Sequence, residues 1–219
     1  TASNWLFHCW IGVCNKKSLI CLKFNGKTAP RRAGSTARMP TDWLAKPRVK
    51  SGDYGPKRPF LLTFANRIEA LKLAAIDLGS NAARLLVVKV TEKPGSNADW
   101  KALEYIRVPI RLGDDVFVHG QVGLARSKQL LETMQGFSSL IRAFEVDHAM
   151  ACATSALREA SNGPALVKEI KAHTGLDLDL ISGPMEAELL YMAQRSLAGP
   201  SDRIMTMDVG GGSTEISIL

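Results

Sequence analysis

Two stretches of this chain set out the same chemistry in the same order. Asp208-Val209-Gly210-Gly211-Gly212-Ser213-Thr214-Glu215 follows the apolar run Arg203-Ile204-Met205-Thr206-Met207 and leads into Ile216-Ser217-Ile218-Leu219. That order reads as strand, glycine turn, strand. Successive glycines leave no Cβ atoms in the way, so several backbone N–H groups can converge on one anion. Asp208 at the strand end can hold a divalent cation directly or through water, and Glu215 offers a second carboxylate. Far upstream, Asp77-Leu78-Gly79-Ser80-Asn81 follows the apolar run Leu73-Ala74-Ala75-Ile76 and repeats the scheme. One glycine turn is weak grounds, because many tight hairpins contain glycines and bind nothing. Two Asp-ended turns in one chain suggest two jaws closing on a phosphate chain and its metal.

The elements that must position these turns follow from periodicity. Leu73–Ile76 and Ala82–Val90 read as the first two strands, and Lys101–Leu112 alternates as a third that ends at Gly113-Asp114-Asp115. Leu124–Phe144 carries a helical stripe of Leu130, Leu131, Met134, Phe137, Leu140, Ile141 and Phe144. His148–Ala153 is a short buried strand, Thr154–Ala160 begins a helix, and Ala165–Ala172 is helical after Asn162-Gly163-Pro164. Leu176–Ile181 is another strand, and Pro184–Leu197 a helix with Pro184 in its first turn. Three meandering strands followed by alternating strands and helices predict an α/β arrangement, a mixed sheet with helices packed on it.

With 219 residues and 46% hydrophobic content, the chain can bury a core. No stretch approaches the ~20 apolar residues that span a bilayer, so no membrane partner is expected. The net charge of +7 is uneven: residues 1–71 carry 13 Lys and Arg against 3 acidic residues, and the remainder 15 against 18. The basic excess therefore belongs to the first third, and nucleic acid is not expected as a partner of the rest. That third lacks sustained periodicity, apart from Ser18–Phe24 as a possible strand, and Asn25–Pro59 has the composition of solvated, disordered chain. His8, Cys9, Cys14 and Cys21 lack the paired spacing of a zinc site and read as incidental. An organellar transit peptide and a basic arm are both compatible with the composition. The preferred reading is a basic extension at 1–71 that is foreign to the domain.

Four ordered motifs then resemble one family. They are Asp77-Leu78-Gly79-Ser80-Asn81, Ala153-Thr154-Ser155-Ala156-Leu157-Arg158-Glu159-Ala160-Ser161-Asn162, Ile181-Ser182-Gly183-Pro184-Met185-Glu186-Ala187 and Asp208–Glu215. In order and spacing they are similar to the exopolyphosphatase/guanosine pentaphosphate phosphatase (Ppx/GppA) family, from about Lys72 to Leu219. Ile106–Asp115 resembles the bacterial exopolyphosphatase branch. The resemblance implies an actin-like ATPase fold of two RNase H-like domains facing across a cleft. It places the first domain at 72–199 and only the opening hairpin of the second at 200–219, so a C-terminally truncated chain is expected. It further implies Mg2+-dependent hydrolysis of a terminal phosphoanhydride in polyphosphate or guanosine pentaphosphate, in the cytoplasm, with a homodimer possible for the full-length protein.

Residue by residue, the resemblance makes Glu186 the catalytic base and gives Asp208 and Glu215 the organisation of Mg2+ and the attacking water. Asp77 joins them as a metal-site carboxylate. Gly210, Gly211, Gly212 and Ser213 face phosphate from one jaw, and Gly79, Ser80 and Asn81 from the other. Arg158 matches an arginine that can clamp phosphate oxygens; an ion pair with Glu159 or another acid is the plain alternative. Arg84 either reaches phosphate or faces solvent, and Glu188 stands where relatives often carry arginine. His119, His148 and His173 lack ligand spacing. A regulatory protein that binds phosphate or nucleotide without turnover is the reading from another class.

Overall fold

The computed structural model describes residues 19–24, 70–91, 99–194 and 203–218. Thirteen elements run through them. Strand β1 (Leu19–Phe24) is followed by β2 (Ala70–Leu78), β3 (Ala82–Thr91) and β4 (Asp99–Pro109), then helices α1 (Leu112–His119) and α2 (Leu124–Ala143). Next come β5 (His148–Ala153), α3 (Ser155–Glu159), α4 (Gly163–Thr174), β6 (Leu178–Leu180) and α5 (Gly183–Gln194), and finally β7 (Arg203–Val209) and β8 (Thr214–Ile218).

Five strands form a mixed sheet in the order β4-β3-β2-β5-β6. The β2–β3 and β3–β4 pairs are antiparallel, whereas β5 lies parallel to β2 and β6 parallel to β5. Central β2 and β3 are apolar at nearly every position, because both of their faces are buried. Edge strand β4 alternates and stays largely exposed. Ala74, Ile76 and Leu78 of β2 and Leu85 and Val87 of β3 share one core with Leu112 and Val116 of α1, Leu130, Met134 and Phe137 of α2, and Leu166 and Ile170 of α4. Each large side chain buried there contributes about 1.5–3 kcal/mol, so this face fixes the sheet on which the first glycine turn sits.

Strand ends shift by up to three residues, as in Ala70–Leu78 and Leu178–Leu180, and two boundaries differ in kind from the sequence reading. The third strand ends at Pro109, and Leu112–His119 is helix where a strand end and loop were expected. Arg111 adopts φ 58° and ψ 50°, which breaks the strand, and Leu112 and Val116 then bury one face of α1 four residues apart. Asp114 and Asp115 in the first turn suit the positive end of the helix. The second difference is Asn162-Gly163-Pro164, which is the cap and first turn of α4.

A second sheet has the order β1-β7-β8, all antiparallel. Strand β1 comes from the segment read as a disordered extension, at the Ser18–Phe24 run singled out as a possible strand. Residues 1–18 and 25–69, with His8, Cys9 and Cys14, lie outside the described residues.

Candidate active site

The two glycine turns occupy equivalent places in two antiparallel hairpins. Asp77 is the penultimate residue of β2 and Asp208 the penultimate residue of β7. Each turn is closed the same way: the N–H of Gly79 donates to Ala82 O at 3.1 Å, and the N–H of Gly210 to Ser213 O at 2.9 Å. Those two N–H groups, expected to face phosphate, are therefore spent within their own turns. The hairpins differ in what stands opposite the aspartate. Arg84 is the register partner of Asp77, and Glu215 that of Asp208.

Both turns open onto a single cavity. Its walls include Asp77, Gly79, Ser80, Asn81 and Arg84 from the first hairpin, Thr154 and Ser155 from the β5–α3 junction, and Glu186 from α5. Asp208, Val209, Gly210, Gly211 and Ser213 complete it from the second hairpin. The turns touch one another closely. A Cβ on Gly211 would fall 2.6 Å from Asn81 Nδ2, so a side chain there would displace the Asn81 amide.

Asp77 is buried and ion-paired to the Arg84 guanidinium, which is part of the cavity wall. Glu186 lies in the first turn of α5, whose start is fastened by Ser182: Ser182 O accepts from the Glu186 N–H at 2.9 Å and Ser182 Oγ from the Met185 N–H at 3.3 Å. The Glu186 side chain is 13% exposed, with Arg158 Nη1 3.8 Å from its Oε2. The same Nη1 donates to Ile181 O at 2.8 Å, and Arg158 Nη2 lies 4.0 Å from Glu159 Oε1. Arg158 thus stands behind Glu186, outside the cavity wall, and its guanidinium holds the carboxylate and the strand end together.

Gly212 also stands outside the wall, packed against Phe117 and Ser155. Glu215 is placed by its backbone in β8; its side chain is not among the described groups. Thr154 and Ser155 were quoted within a motif but given no role. Both are buried, and Ser155 Oγ shares a 2.9 Å hydrogen bond with Ser80 Oγ, which ties the first turn to β5–α3. Their position next to the Leu78 carbonyl, which accepts the Thr154 N–H at 3.1 Å, follows from parallel pairing of β5 with β2. Such pairing across the chain leaves no local mark in the sequence.

No group of three or more metal-ligating side chains occurs among the described residues. Hard oxygen donors nonetheless face one cavity, and Mg2+ is commonly held by one or two carboxylates with substrate phosphates and water filling its remaining positions. Asp208 and Asp77 both line that space, and the charge of Asp77 is met by Arg84.

Residues 90–219 match the model of the Ppx/GppA phosphatase family. Exopolyphosphatase 1 of Mycobacterium tuberculosis and that of Mycobacterium leprae are each 31% identical to this chain over 150 residues, 67% of this chain and 42% of theirs. Among solved structures, the Aquifex aeolicus Ppx/GppA family member superposes with a TM-score of 0.55 at 24% identity, over 69% of this chain and 51% of that one. An exopolyphosphatase from Cytophaga hutchinsonii gives 0.53 at 22% identity, over 68% and 50%. The chain therefore spans less than half the length of those curated relatives. The structural likeness shows the actin-like fold, and the family match, covering more than half of the residues, shows that this chain belongs to the Ppx/GppA phosphatase family.

Proposed function

We infer that this chain supplies the phosphate-gripping turns and the general base of a hydrolase that releases terminal phosphate from inorganic polyphosphate. The observation that carries the reading is the convergence of two Asp-ended glycine turns and the helix-start carboxylate of Glu186 on one cavity. Kinases of similar two-loop design require a second substrate, whereas a carboxylate beside the phosphate grip suits activation of water. The relatives bearing the name exopolyphosphatase support polyphosphate as the substrate class.

In this account a water beside Glu186 attacks the terminal phosphorus. Its proton passes to a Glu186 carboxylate oxygen, the new P–O bond forms, and the bridging P–O bond to the chain breaks. Orthophosphate and a chain shorter by one unit leave. General-base assistance of this kind contributes roughly 100- to 10,000-fold. Arg158 holds Glu186 in place, a positioning role inferred from its contacts with Glu186 and Ile181 O. The N–H groups of Ser80, Asn81, Gly211 and Ser213 are assigned to the phosphate oxygens, since those of Gly79 and Gly210 close the turns. Asp208 and Glu215 would hold Mg2+, which supplies positive charge to the phosphate oxygens when bound. The two residues are register partners in the second hairpin, whereas Asp77 is opposed by Arg84.

The test is Glu186→Gln in the full-length protein, measured as phosphate release from long-chain polyphosphate with Mg2+. A fall of about 100-fold or more in kcat with polyphosphate affinity retained is expected. Retention of most activity would remove Glu186 from the base role. Guanosine pentaphosphate ends in the same linkage, and the same assay on it decides between the two substrates.

A further inference from the structure

Phe117 is a large apolar residue left 44% exposed, so core burial does not account for its place. It stands on α1, the helix the sequence pattern did not reveal. The start of that helix is fastened to the first glycine turn: the Gly113 N–H donates to Ser80 O at 2.9 Å and the Arg111 N–H to Asn81 O at 3.0 Å. From this anchor the Phe117 ring lies back across Gly113, where a Cβ would come 2.8 Å from Cε2. The ring then reaches the second turn. A Cβ on Gly212 would fall 2.1 Å from Phe117 Cζ and 2.6 Å from Cε2. Gly212 is not among the residues of positive φ, so its backbone would admit alanine. The ring, with Ser155 Oγ 3.0 Å from the same point, is what a side chain there would have to displace.

We propose that Phe117 is a positioning residue: a spacer, built on the first turn, against which the second turn seats, so that its ring sets the width of the phosphate-gripping cleft. The role rests on the hydrolase reading for its kinetic consequence and on packing alone for its structural one. A cleft that must hold a phosphoryl group between opposed N–H donors tolerates little change in width. Misplacement by about 1 Å can cost a hundredfold in rate.

The test is a steric complementation series in the full-length protein: Gly212→Ala, Phe117→Ala, Phe117→Leu and the double variant Gly212→Ala with Phe117→Ala. Two readouts are taken, kcat and KM for Mg2+-dependent phosphate release from polyphosphate, and amide hydrogen exchange over residues 210–213. Gly212→Ala should lose about a hundredfold in kcat/KM, and the double variant should recover most of it. Phe117→Ala should speed exchange across 210–213 and raise KM more than it lowers kcat, with Phe117→Leu falling between it and the parent. A double variant no better than Gly212→Ala, or unchanged exchange in Phe117→Ala, would overturn the proposal. Should the parent protein release no phosphate, the exchange comparison still decides the spacer role, and the hydrolase reading fails separately.

Discussion

Arg84 and Glu215 hold the same register position in the two hairpins, opposite Asp77 and Asp208, and they differ in sign. That single difference sets the two hairpins apart in charge. Asp77, 4% exposed in its side chain, is neutralised by an arginine that is itself 25% exposed. Removing the arginine would strand a buried carboxylate, at a cost of about 2–3 kcal/mol, below that of a wholly buried pair because Arg84 is partly solvated. Arg84→Met should therefore lower the midpoint of denaturant unfolding, and adding Asp77→Asn should restore much of it. A double variant as unstable as the single one would show that the pair carries no such coupling. The aspartates and the glycines were legible as candidates because their types and spacing are local, and Glu186 through the family resemblance of its motif. Register was not, and so neither was the pairing of Asp77 with Arg84. The fate of the Gly79 and Gly210 N–H groups was equally hidden, since each closes a bond three residues ahead that composition does not reveal.

At the scale of elements, the strands and long helices followed their periods, and α2 ends within one residue of its apolar stripe. Helix α1 did not. The alternation of β4 runs on through Ile110 and Leu112, and only the left-handed backbone at Arg111 interrupts it. The consequence reaches the cavity walls, because α1 meets both turns. The start of α4 shows the opposite case, a glycine placed ahead of the expected helix that packing requires inside it. A Cβ on Gly163 would lie 2.1 Å from Leu157 O, the backbone of α3. Gly163→Ala should thus push α4 from α3 and destabilise the protein by about 1–3 kcal/mol. Thermal unfolding checks this, and an unchanged midpoint would mean that the junction yields without strain.

Across the whole molecule, the two hairpins are placed alike but flanked differently. In the larger sheet the free side of β2 takes β5 in parallel, whereas the corresponding side of β7 takes β1 antiparallel. The basic residues of the first third lie mostly outside the described residues, and no helix among the described residues is long and apolar enough to cross a membrane. The central claim concerns the cleft between the hairpins: that water, activated at Glu186, attacks a terminal phosphorus. Incubating the full-length protein with polyphosphate and Mg2+ in 18O-labelled water measures that step directly. The account predicts steady release of orthophosphate without any acceptor, each molecule carrying one solvent oxygen, and loss of that release in Glu186→Gln. Absence of release, or label confined to the shortened chain, would contradict it.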